Sequence, residues 1–138
     1  MRAALLTVLL ASTVLAGCAS SDSGSAGHYA YVNWNRIESS CVTQNGKGGC
    51  TYGPNSEQLS APITCDHANP VLSWDAKEWH GSIMVRALRP DGSEAAAHSV
   101  ASPGKGNMTA EGPAGKWTLA AQTHNASGNF QARLTCQA

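Results

Sequence analysis

Charge is scarce in this chain of 138 residues. Lys and Arg number 9, Asp and Glu number 9, and together they make up 13% of the sequence. The formal net charge is zero, which excludes a basic nucleic-acid binder and an acidic tail protein. So few charges also exclude a long solvated helix or coiled coil, which needs many Glu and Lys. Aromatic residues are only 6% of the chain, and Phe occurs once. Apolar residues almost never recur with helical spacing, so an all-α fold is excluded as well. Catalytic and metal signatures are missing. There is no Gly-x-Ser-x-Gly elbow, no His-Glu-x-x-His helix, no phosphate-binding glycine loop and no Cys-x-x-Cys. The five histidines, His28, His67, His80, His98 and His124, are scattered. Among the few acids, Asp75 and Glu78 are the one close pair in a connector, and nothing marks them as a glycosidase pair. The expectation is a non-enzyme with no cofactor and no metal, of one domain.

Met1-Arg2 precedes an uncharged, mostly apolar run from Ala3 to Ala16. A bilayer span needs about 20 apolar residues, so this run is too short and has the length of a signal-peptide h-region. It ends at Leu15-Ala16-Gly17-Cys18, small residues before a cysteine. These four positions resemble the lipobox of bacterial lipoproteins. The resemblance implies that residues 1–17 are a removed signal peptide and that Cys18 carries the lipid, on its thiol and on the new amino terminus. Several acyl chains hold a protein stably where one does so marginally. By the same resemblance, Ala19 directs the protein to the outer membrane of a Gram-negative envelope. Without Arg2 the mature chain has 8 basic and 9 acidic groups, a net charge near −1. Phospholipid headgroups then contribute no electrostatic attraction.

Ala19 to Gly27, ASSDSGSAG, has no large apolar residue, so residues 18–27 are expected to be the lipidated Cys and a flexible tether. Four cysteines remain: Cys41, Cys50, Cys65 and Cys136. In an oxidising compartment they form two disulfides, with three pairings open. The favoured pairing is Cys41–Cys50, closing a Gly-rich loop, with Cys65–Cys136, tying a middle strand to the last. The loop from Gln44 to Gly49 reads equally as a partner-binding edge and as a connection.

Residues 28–138 read as short strands broken by Gly, Pro, Asn and Asp. From His28 to Ile37, Tyr29, Tyr31 and Asn33 alternate with Ala30, Val32 and Trp34. Further strands are expected at Gln58–Cys65, which Pro62 turns toward an edge, and at Pro70–Trp74, Gly81–Arg89, Ala95–Ala101, Asn107–Glu111, Lys116–Thr123 and Asn129–Gln137. Pro90-Asp91-Gly92-Ser93 is a turn, and Asp75–Trp79 is the single helical-turn candidate. The expected fold is all-β: an antiparallel β-sandwich or jelly roll of seven to eight strands, stapled by two disulfides. The C-terminal half adds a Gly81-Ser82-started strand, then Pro90-Asp91-Gly92-Ser93, Gly112-Pro113-Ala114-Gly115-Lys116-Trp117-Thr118-Leu119 and Ser127-Gly128. This order resembles the galactose-binding-like jelly rolls of pre-peptidase C-terminal and proprotein-convertase P domains. The resemblance implies architecture; no calcium ligands of those domains are recognisable.

Trp supplies 4 of the aromatic residues, against Tyr 3 and Phe 1. Trp34 and Trp117 alternate with polar neighbours and are expected in the core. Trp79, Trp74 and His80 flank a polar connector and are the candidate ligand contacts; the competing reading has Trp79 closing one end of the sandwich. The leading expectation is a lipid-anchored interaction module of the bacterial cell envelope, whose partner is an envelope or secreted protein. The alternative is a surface carbohydrate-binding module using an exposed Trp. A third reading is a metal-binding or hydrolytic envelope protein.

Overall fold

A computed structural model of the chain describes residues 19–36 and 56–138. The signal peptide, Cys18, Cys41, Cys50 and the loop from Gln44 to Gly49 lie outside the described residues. Among the described residues seven antiparallel strands run in chain order: β1 (Ala19–Ala26), β2 (Tyr29–Arg36), β3 (Gln58–Cys65), β4 (Val71–Leu88), β5 (Glu94–Val100), β6 (Gly104–Thr109) and β7 (Gly115–Thr135). The all-β expectation holds. Two long strands, β4 and β7, pair from Val71↔Thr135 to Leu88↔Thr118 and carry the rest. Their first half, counted from Val71 and Thr135, is flanked by β6 on one side and by β2 and then β1 on the other. Their second half is flanked by β5 and β3.

The sheet turns a corner between these halves. Register shifts fall at Lys77/His80 and His80/Ser82 of β4. Positive φ angles occur at Glu78 (51°), Gly81 (80°), Asn125 (48°) and Gly128 (120°), all at this crossing. An extra residue at a bulge moves the buried positions to the other parity. Leu72 and Ala76 are buried before the corner in β4, and Ile83, Val85 and Ala87 after it. In β7 the switch runs from Trp117, Leu119 and Ala121 to Phe130, Ala132 and Leu134. The buried residues form one cluster shared by both halves. The described residues form a single sheet, and such a sheet buries one face by folding over on itself. A disulfide confirms the fold-over: Cys65 ends β3, Cys136 follows β7, and their Cα atoms lie 5.2 Å apart at the ends remote from the corner. This is one of the two expected disulfides. Trp34, Trp79 and Phe130 pack near the corner in edge-on and tilted contacts 5.5–5.6 Å between ring centroids.

Three expectations are corrected. Pro70–Trp74 and Gly81–Arg89 are parts of one strand, and no helical turn separates them at Asp75–Trp79. Lys116–Thr123 and Asn129–Gln137 likewise fuse into β7. Bulges at the corner break the alternation and so read as interruptions. Residues 19–26 are not a tether but the edge strand β1, in full register with β2 from Ala19↔Arg36 to Ala26↔Tyr29. Small residues carry no packing signal, yet their backbones complete the hydrogen-bond ladder, and composition alone does not record that. Pro62 sits exposed on β3, which among the described residues pairs with β7 alone, as an edge position requires.

Candidate functional site

The half of the sheet built from β1, β2, β7, β4 and β6 buries one face and turns the other outward. Pairing places the outward residues in rows that cross the strands. Nearest the corner, Asn35 opposes Asn129, which opposes Lys77. The next row is Asp22, Asn33, Gln131, Asp75 and Lys105. Then come Gly24, Tyr31, Arg133, Ser73 and Asn107, and finally Tyr29, Thr135, Val71 and Thr109.

The first two rows floor an open groove of about 460 Å³, lined by Ser21, Asp22, Asn33, Asn35, Asp75, Lys77, Asn129 and Gln131, with Trp34 and Phe130 beneath. The Asn35 amide donates to the Asn129 carbonyl, which orients both side chains. Asn33, Asn35 and Asp75 are half-buried; Asp22, Lys77, Asn129 and Gln131 are exposed. The groove is therefore lined by amides, with two carboxylates against one ammonium. Asp22 and Asp75 stand in one row but are three strand spacings apart, about 14 Å. Beyond the groove, the guanidinium of Arg133 lies over the ring of Tyr29, 4.5 Å from its centroid. Tyr31 leans over Gly24, where a Cβ would stand 3.1 Å from the phenol oxygen.

The expected ligand contacts do not assemble. Trp79 is 4% exposed, and its indole N–H donates to the Val100 carbonyl at 3.2 Å. It is a core residue near the corner, so it offers no platform. Trp74 is half-buried, its ring over the Gly106 backbone, where a Cβ would meet it at 2.7 Å. Its other neighbour is the imidazole of His98, stacked at 4.2 Å and 15°. His80 is exposed at the corner. Trp34 and Trp117 are core residues, as expected. Among the described residues no group of three or more His, Cys, Asp or Glu gathers to hold a metal ion. The amide groove has almost no signature in the sequence. Its one visible sign is the alternation that puts Tyr29, Tyr31 and Asn33 on one face of β2, because Gln131 and Asn129 join that face only through pairing across nearly the whole chain.

No family model matches this chain, and no curated protein matches it. Solved structures with a similar course of the chain include TmCBM61 in complex with β-1,4-galactotriose. It is 12% identical, with 85% of this chain and 83% of that one covered and a TM-score of 0.46. Another is the carbohydrate-binding module CBM6cm-2 from Cellvibrio mixtus lichenase 5A in complex with cellotriose (12% identical, 88% of each chain, TM-score 0.41). Likeness at this level transfers neither ligand nor activity, so function has to be read from the groove.

Proposed function

We propose that this protein binds carbohydrate in the groove across β1, β2, β7 and β4. The observation that carries this reading is the lining of Asn33, Asn35, Asn129 and Gln131 between Asp22 and Asp75. A sugar hydroxyl donates and accepts at once. An amide side chain also presents a donor and an acceptor on one planar group, and a carboxylate accepts from hydroxyls. Protein-binding faces favour the opposite composition, with apolar and aromatic residues at a charge-poor centre. The carboxylates are spaced wider than the about 5–10 Å over which glycosidase pairs act, which supports binding without bond cleavage.

The export signal and lipobox fit a chain displayed on the cell envelope, anchored at Cys18 and placed in the outer membrane if the host is Gram-negative. With β1 starting at Ala19, Asp22 is only four residues from Cys18, about 13 Å of extended chain. An anchor there holds the groove near the lipid surface, within reach of envelope or extracellular glycan.

The test is retardation of the purified chain in native gels containing soluble polysaccharides, β-galactan and β-glucan among them. Asn33→Ala combined with Gln131→Ala removes hydrogen bonds worth about 0.5–1.5 kcal/mol each, so binding should weaken by about tenfold or more. Both positions are on the outer face, and the melting temperature should move little. Gln122→Ala, on the outer face of the other half, should change nothing. Retardation by no polysaccharide, or a double variant that binds as well as the parent, would overturn the reading.

A further inference from the structure

We infer that Arg133 reads a carboxylate substituent on the glycan, so that the groove prefers acidic glycans over neutral ones. This rests on the glycan reading and adds the class of sugar.

The two rows beyond the groove carry a single charge. They contain Tyr29, Tyr31, Ser73, Asn107 and Thr135, but no carboxylate. Among the described residues no acid pairs with Arg133; Arg86 and Glu94, which pair at 3.2 Å, lie on the other half of the sheet. The cation–π contact with Tyr29 holds the Arg133 guanidinium against that ring, at the outer face of β7. A guanidinium presents N–H groups in a fork matched to a carboxylate, and no carboxylate among the described residues engages that of Arg133. Gly24 contributes by letting Tyr31 lie back over β1, on the side of β2 away from Arg133.

Spacing supports a substituent rather than a second binding mode. Arg133 is two residues along β7 from Gln131 on the same face, about 7 Å. That is little more than the width of one sugar ring. A sugar held by Asn33 and Gln131 therefore projects an acidic group to Arg133, one row away from Asp22 and Asp75. Anionic groups placed within the groove itself would meet those two carboxylates.

Such a carboxylate has two sources: a uronic acid in the chain, or a peptide attached to an amino-sugar glycan. Binding is measured by calorimetry on the purified chain with two matched pairs of probes. One is oligogalacturonate against its methyl ester, which keeps the sugar and removes the charge. The other is a muramyl-peptide glycan against chitooligosaccharide, which lacks the peptide. The acid form of one pair should bind about tenfold more tightly, as expected for a charge-assisted hydrogen bond, and the responding pair identifies the source. The preference should vanish in Arg133→Gln, survive in part in Arg133→Lys and shrink as salt rises. Equal binding of acid and neutral forms that still depends on Asn33 and Gln131 overturns the inference and leaves the glycan reading intact. A preference that persists in Arg133→Gln also overturns it. Binding of no probe, with no polysaccharide retarding the chain, overturns both.

Discussion

Gly81→Ala is expected to lower the melting temperature by about 15 °C or to prevent folding. Two costs coincide at this residue. Its φ is +80°, a conformation that an L side chain adopts only at a cost of about 1–2 kcal/mol. The added Cβ would also stand 2.1 Å from the Asn125 carbonyl oxygen and 2.7 Å from the Ala126 Cα. These are backbone atoms of the partner strand at the corner, so no rotamer change relieves the contact. Moving them apart breaks the pairing of His80 with Ser127 and of Ser82 with His124, which carries β4 and β7 around the bend. Gly128 is the reciprocal case, with φ +120° and a Cβ position 2.4 Å from the Glu78 carbonyl oxygen. A total of about 4 kcal/mol is therefore reasonable, at about 3–5 °C per kcal/mol for a chain of this size. Gly92→Ala is the control. Its φ is +89°, but nothing lies within 4 Å of its Cβ position, so it should show the conformational cost alone. Thermal denaturation followed by circular dichroism separates the two. Equal losses for Gly81→Ala and Gly92→Ala would mean that the corner yields freely.

The same corner explains what could be read from the sequence and what could not. Strands with unbroken alternation were legible: β2 from Tyr29 to Arg36 and β3 from Gln58 to Cys65 begin and end within a residue or so of their expected limits. So was the turn after β4, where the Gly92 N–H donates to the Arg89 carbonyl and Asp91 accepts from the backbone and hydroxyl of Ser93. Continuity through a bulge was not legible. Glu78 adopts positive φ, a choice its side chain does not announce and the crossing backbones impose, whereas Asn125 at the same corner is a residue type that tolerates that conformation. Trp79 was legible through the reading that has it closing one end of the sandwich, which its burial beside Trp34 and Phe130 bears out; the parity switch that buries it depends on that bulge and was not. The groove was hidden for a different reason. Asn35 and Asn129 bond each other across 94 residues of sequence. A row across a sheet is a property of pairing, and no local pattern in either segment encodes its partner. The strand β1 lacked even an alternation, because Ser, Gly and Ala fit either face.

Removal of the Cys65–Cys136 disulfide is expected to cost about 4 kcal/mol, again about 15 °C in melting temperature. The bond closes a loop with a sequence separation of 71 residues, and the chain-entropy model assigns roughly that stabilisation to a loop of this length. Its position makes it more than a loop closure. The corner at Gly81 and Gly128 is a hinge at one end of the sandwich, and the disulfide is a clasp at the other. Cys136 is fixed a second time by its N–H, which donates to the His28 carbonyl at 2.8 Å. That contact ties the end of β7 to the start of β2, beside Tyr29 and Arg133. Asn129 is seven residues from Cys136, whereas Arg133 is only three, about 10 Å of extended strand. Opening the clasp should therefore loosen the Arg133 end of the face first and leave the amide rows near the corner in place. Below its new melting point, Cys65→Ala with Cys136→Ala should still bind through Asn33 and Gln131 while losing preference for an acidic glycan. Hydrogen exchange would show the order directly, with amides near Thr135 losing protection before those near Asn129. Uniform loss along β7 would mean that the two ends of the sandwich open as one unit.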